Sequence, residues 1–125
     1  MALPATYNIS YYRGDTYSFV IYPKAANGET FTLVDNNDDP YLAFFFISTN
    51  RTAEVPTDAI EAIAVLDTVT STVSCQITTA VGRTLVPGTV YVYEVKIQNQ
   101  DTNEVYTLVT GTISVTGAVE LLETV

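Results

Sequence analysis

The chain has 125 residues, 47% of them hydrophobic and 15% charged, with a formal net charge of −9. That length and apolar content suit one domain able to bury roughly two-thirds of its unfolded surface without disulfides or a structural metal, and they exclude disorder as the state of most of the chain. Fourteen acids against five singly scattered Lys and Arg argue against nucleic acid and anionic membranes, because phosphate recognition needs clustered cations.

Ala5 to Tyr12 alternates loosely and is predicted to be a first strand. Arg13-Gly14-Asp15 follows as a turn, since Gly supplies positive φ and Asp favours turn hydrogen bonds. Tyr17 to Tyr22 is the next strand, with Tyr17, Phe19 and Ile21 on one face, and Pro23 ends it because a central strand needs the N–H that Pro lacks. Ala26-Asn27-Gly28-Glu29 makes a turn into a short strand at Phe31 to Val34. Asp35 to Pro40 is a polar break. Leu42 to Ser48 is a continuous apolar run of strand length, fit for burial on both faces or against a neighbouring subunit.

Asn50 to Thr57 is polar and contains Pro56, so it is expected to be a loop. Asp58 to Asp67 has two readings. Asp58 and Glu61 have the spacing of a helix capping box, with Ile60, Ile63 and Ala64 on one face. Alternatively Ile63 to Asp67 is a strand whose hairpin partner is Thr72 to Thr78, which is the preferred reading. Thr78 and Thr79 are placed to cap one helical turn near 79–85, with Val81 and Leu85 facing inward, and Pro87-Gly88 is a turn. Thr89 to Gln98 sets Tyr91, Tyr93, Val95 and Ile97 on one face. Asn99 to Asn103 is a hairpin loop, and Glu104 to Thr110 returns antiparallel. Gly111 breaks that pattern as a bulge would, and Ile113 to Val119 continues the strand. An extended C-terminal tail is one expectation for residues 119–125. Thr, Val and aromatic residues are plentiful, which suits pleated sheets. The fold expected is all-β: an antiparallel β-sandwich, Ig-like or related, of about 7–9 strands in a single domain over 1–125.

Chemistry is sparse. No histidine or tryptophan is present, which removes His-based triads, His-containing metal sites and the commonest acid–base residue. Cys75 lacks a His partner, cannot form an internal disulfide, and falls on an apolar face, so it reads as an inert core thiol made in a reducing cytoplasm. The glycines fall at turns and bulges, not in a phosphate loop. Asp35, Asn37 and Asp39 have the spacing that opens a calcium loop, but Pro40 and Phe46 stand where Gly and Glu are required. Arg13-Gly14-Asp15 spells an integrin-binding tripeptide with an evident turn role. Met1 to Ala5 has no basic start or apolar stretch, so no signal peptide is expected. The chain is therefore expected not to be an enzyme, and no cofactor or metal is expected. Tyr11, Tyr12, Tyr91 and Tyr93 are read either as core or as stacking surfaces for sugars or an interface.

Two stretches carry a resemblance. Tyr12-Arg13-Gly14-Asp15-Thr16-Tyr17-Ser18-Phe19, and the run from Leu85-Val86-Pro87-Gly88 through Tyr91-Val92-Tyr93-Glu94-Val95 to Thr107-Leu108-Val109-Thr110-Gly111 and Val115-Thr116-Gly117, resemble β-sandwich domains of tailed-phage virion proteins. That family includes tail-fibre connectors, collar proteins and minor tail or baseplate proteins. The resemblance covers about half of the chain and leaves Asp35 to Asp67 unmatched. It implies a virion structural protein made in the host cytoplasm, an adaptor or connector of the tail, neck or fibre attachment region. Its partners would be other virion proteins in a symmetric homo-oligomeric or hetero-oligomeric assembly. A capsid decoration protein and a carbohydrate-binding module are the alternatives. The candidate interface residues are Tyr11, Tyr12, Phe44, Phe46, Leu121 and Leu122.

Overall fold

The computed structural model describes residues 4–49 and 59–118. The elements are β1 (Ala5–Thr6), β2 (Ile9–Tyr12), β3 (Tyr17–Ile21), β4 (Leu42–Ser48), β5 (Ile60–Asp67), β6 (Thr72–Ile77), α1 (Thr79–Gly82), β7 (Val90–Gln98) and β8 (Val105–Thr116). Among the described residues the fold is all-β apart from the single helical turn. The eight strands lie in one curled sheet of order β1-β8-β7-β4-β5-β6-β3, with β2 also on β8.

The sheet is mixed, which corrects the expectation of purely antiparallel pairing. Both β1 and β2 run parallel to β8, from Ala5 opposite Val109 to Tyr12 opposite Thr116. The predicted first strand is thus one edge strand interrupted at Tyr7–Asn8. The path turns within β5, where Ile60 to Ala62 pair with β4 and Ile63 to Asp67 pair with β6. The two ends of the sheet therefore face one another. Phe19 of β3 packs edge-on against Phe45 of β4 at 5.6 Å and Tyr93 of β7 at 6.1 Å between ring centroids.

Period-two patterning decides which side chains fill the space between. In β7, Tyr91, Tyr93, Val95 and Ile97 are buried while the alternate residues are half-buried or, at Val90, exposed. Val73, Cys75 and Ile77 do the same from β6, and Phe45 and Ile47 from β4. Each large side chain so buried is worth about 1.5–3 kcal/mol. The buried tyrosines find partners for their hydroxyls, as an aromatic with a polar end must. Tyr93 donates to the Tyr7 carbonyl at 2.5 Å, Tyr11 donates to the Asp15 carbonyl at 2.5 Å, and Tyr91 accepts from the Val86 N–H at 2.9 Å.

Several expected elements are present. The β5–β6 hairpin pairs Ile63 with Gln76 through Asp67 with Thr72. The strand begins at Ile60, and Asp58 of the capping-box alternative lies outside the described residues, as does the loop expected at 50–57. Thr78 caps α1, accepting from the Val81 N–H at 3.2 Å, and Leu85 is fully buried. At the first turn Gly14 has φ 91°, and the Asp15 N–H donates to the Tyr12 carbonyl at 3.1 Å. That positive φ explains glycine at this position.

Two expectations are corrected. Phe31 to Val34 is not a strand. Between β3 and β4 only the isolated bridges Lys24–Thr30 and Val34–Pro40 form, because polar turns on both sides leave no neighbouring ladder. Leu33 instead plugs the core, and Phe31 packs edge-on to Tyr41 and Tyr106. Nor is Gly111 a bulge. It pairs in register with Tyr93, while the register shift lies between Val95 and Lys96, opposite Val109 and Thr107, so Leu108 is the extra residue. Glycine is needed at 111 for a different reason: a Cβ there would lie 2.1 Å from the Tyr7 carbonyl oxygen and 3.1 Å from the Tyr93 ring. Residue 111 has no side chain so that the β1–β2 crossing can press on the sheet. The predicted last strand ends at Thr116.

Candidate functional surfaces

Of the six residues expected at an interface, the four that are described do not form one surface. Tyr11 is a core side chain, 2% exposed, with its ring over Gly82, so its expected place at a surface is corrected. The alternation that exposes Ser10 and Tyr12 turns Tyr11 inward. Tyr12 is 58% exposed at the end of β2. Phe44 and Phe46 are half-buried on the outer face of β4, their rings stacked at 5.6 Å with an 8° interplanar angle. Phe44 stands opposite Lys96 and Phe46 opposite Glu94, and those two charges form an ion pair at 3.2 Å. Strand order puts β8 and β7 between Tyr12 and the phenylalanines, about 14 Å across and about 20 Å along the sheet by strand spacing and rise. Leu121 and Leu122 lie outside the described residues.

The tyrosine platform suggested for sugars is not assembled either. Tyr91 and Tyr93, like Tyr11, face the interior. Burial pushes the Tyr93 hydroxyl well above its usual range, and burial with a hydrogen bond to Tyr7 pushes Tyr17 up to about 12. Tyr7 and Tyr17 meet hydroxyl to hydroxyl at 2.5 Å, where β3 passes the β1–β2 crossing.

The other motifs resolve into structural roles. Arg13 donates from Nε and Nη2 to the Arg83 carbonyl, at 3.1 and 2.8 Å, fastening the first turn to the end of α1. The guanidinium of the integrin-like tripeptide is therefore engaged within the fold. Asp35 is 7% exposed, and its Oδ1 accepts from the N–H groups of Asn37 and Asp39 at 2.8 and 3.0 Å. Its Oδ2 is enclosed without a hydrogen-bond partner. The carboxylate that would open a calcium loop thus closes a tight turn instead, and among the described residues no three potential ligands of the His, Cys, Asp and Glu types come together. Cys75 is buried, and burial pushes its thiol up to about 12, which leaves negligible nucleophilic thiolate at neutral pH.

One open trough of about 530 Å³ crosses β8, lined among others by Thr6, Asn8, Glu94, Thr107, Thr110 and Thr112. Its polar groups largely serve the fold. Asn8 Oδ1 accepts from the N–H and hydroxyl of Thr112, and Thr107 accepts from Lys96 at 2.9 Å.

A second surface lies apart from the six residues expected at an interface. On the outer face of β3-β6-β5, Val20, Ser74 and Val65 form one cross-strand row, and Ser18, Gln76 and Ile63 form the next. Val20, Val65 and Ile63 are 47%, 58% and 43% exposed. The signal was available, since Ile63 and Val65 occupy the outward positions of a strand whose inward residues are also apolar. A run without alternation does not say which face is covered. No known family model matches the chain, and no curated protein is significantly similar to it.

Proposed function

We propose that this chain is a structural subunit of a tailed-phage particle, an adaptor or connector in the tail, neck or fibre attachment region. It would act statically, by burying sheet surface against neighbouring virion proteins. The observation that carries the reading is the exposed apolar patch of Val20, Val65 and Ile63 across two neighbouring rows of β3-β6-β5, which no element among the described residues covers and which suits contact more than turnover. The half-buried Phe44–Phe46 pair offers a second apolar contact on the outer face of β4. The virion context itself comes from the resemblance of the first turn and the last two strands.

Antibody labelling of purified particles tests the proposal. Label at the tail, neck or fibre junction supports it, and label on the head favours the capsid decoration alternative. A protein absent from particles overturns both. The glycan-binding alternative loses most of its platform because Tyr11, Tyr91 and Tyr93 face the core.

A further inference from the structure

We infer that β3 is the docking edge for a second copy of this chain, paired antiparallel across a two-fold axis at Phe19. The inference does not depend on the virion reading. β3 is the terminal strand of the sheet, paired on one side with β6 from Tyr17–Ile77 to Ile21–Val73. Its outer edge has no backbone partner among the described residues. Tyr7 reaches the side chain of Tyr17, not its backbone. Such edges are normally guarded by Lys, Pro, a bulge or an inward charge. Tyr17-Ser18-Phe19-Val20-Ile21 has none of these, and its register is unbroken.

Charge selects a second copy as the occupant. Most of the molecule is acidic and repels itself, but the β3 edge and the Val20–Ser74–Val65 row beside it carry no charge. Asp15 and Lys24 stand just beyond the two ends of β3. Both are exposed, and neither side chain has a hydrogen-bond or ion-pair partner among the described residues. In antiparallel pairing centred on Phe19, Ser18 meets Val20 of the other copy. Asp15 then falls opposite Pro23, one residue from Lys24. The two-fold repeats this at the other end, so two opposite-charge pairs bracket the shared strands. Parallel pairing would instead set Asp15 beside Asp15 and Lys24 beside Lys24. The shared edge is about 17 Å long and covers roughly 200 Å² per copy, far below the ~800 Å² per partner of a stable interface. The dimer is therefore weak in isolation and strengthens where copies are held close together.

Sedimentation of the full chain up to about 1 mM tests this, a range suited to so small an interface. The expected result is concentration-dependent dimerisation. Val20→Lys, a substitution at an exposed edge position, should weaken it at least about tenfold. Val90→Lys, at a similarly exposed valine on β7, should leave it unchanged. Asp15→Lys should weaken the dimer, and Asp15→Lys with Lys24→Asp should restore it. A chain that stays monomeric throughout, a Val90→Lys variant as damaging as Val20→Lys, or a failure of the charge reversal to restore association would each overturn the inference.

Discussion

Gly111→Ala separates two explanations of the same glycine by the sign of its effect. Gly111 does not have positive φ, unlike Gly14, Gly28 and Gly88. Were it a bulge with room beside it, alanine would stabilise the fold by about 0.4–1 kcal/mol through the unfolded chain. The structure instead puts the new Cβ 2.1 Å from the Tyr7 oxygen and 2.8 Å from its carbon, both backbone atoms. Moving them is overpacking, at about 1–3 kcal/mol. It also pulls the Tyr7 carbonyl from the buried Tyr93 hydroxyl, which donates to it at 2.5 Å. An unpaired buried hydroxyl adds about 1–3 kcal/mol. The expected loss is about 2–6 kcal/mol, a large share of the ~5–15 kcal/mol of a typical domain. Urea unfolding followed by circular dichroism measures it. Tyr93→Phe should then cost less in the Gly111→Ala background than alone, because the bond it removes is already broken. A neutral or stabilised Gly111→Ala protein would refute the close approach of β1–β2 to β8.

Other outcomes follow from the same contacts. Phe45→Ala should cost about 3–5 kcal/mol in urea unfolding, since the ring is fully buried against Phe19 and Tyr93; the half-buried Phe44 should cost clearly less. Arg13→Lys should cost roughly 1–2 kcal/mol because lysine cannot present the two-pronged donor set that Arg13 gives the Arg83 carbonyl, and a variant as stable as the wild type would remove that staple. Tyr17, Tyr93 and Tyr11 all have folded-state pKa values raised above 10.0, chiefly by burial. Their contribution is therefore complete below pH 10 and is lost as pH rises towards about 12. The urea midpoint should fall between about pH 8 and about pH 11, and a rise over that interval would contradict the assignment. Cys75 should resist thiol reagents in the native protein and react on unfolding; rapid native labelling would place it at the surface.

The parts of the fold legible from the sequence are those where a strand has one buried face. In β7 the alternation of Tyr91, Tyr93, Val95 and Ile97 with polar or smaller residues fixes both the element and the inward set. The cap at Thr78 and the β5–β6 hairpin are equally local. What depends on neighbours far along the chain was not legible. Nothing in Ala5 to Tyr12 says that it pairs parallel with a strand a hundred residues later. The role of Gly111 comes from the approach of Tyr7, so a glycine in an alternating pattern was read as the commoner bulge. Phe31 to Val34 has the composition of a strand, but a strand needs a ladder, and the chain there supplies the core with Leu33 and the flank of Phe31 instead.

The candidate surfaces divide along the same line. Apolar residues report burial, but they do not say whether the cover is this chain or another. Tyr11 and Tyr12 differ only in parity, and one is core while the other is exposed. The apolar run Leu42 to Ser48 suits burial on both faces or one face against a neighbouring subunit; Phe45 and Ile47 fill the interior while Phe44 and Phe46 stack on the outer face. In β5, Ile63 and Val65 point outward from a strand whose inner residues are apolar as well. A strand in water needs apolar residues on one face only, so side chains such as Val65 and Val20 contribute little to folding the single chain. Val20 differs from Val65 in standing on the unguarded edge strand itself, where an outward valine gains stability when a second strand lies alongside it. Substituting Val20, the exposed valine on β3 itself, by Thr should leave the unfolding free energy nearly unchanged, within about 0.5 kcal/mol, while weakening the β3 dimer. If Val20→Thr destabilises the monomer and spares association, that side chain belongs to the fold, and the β3 edge has no claim as a contact surface.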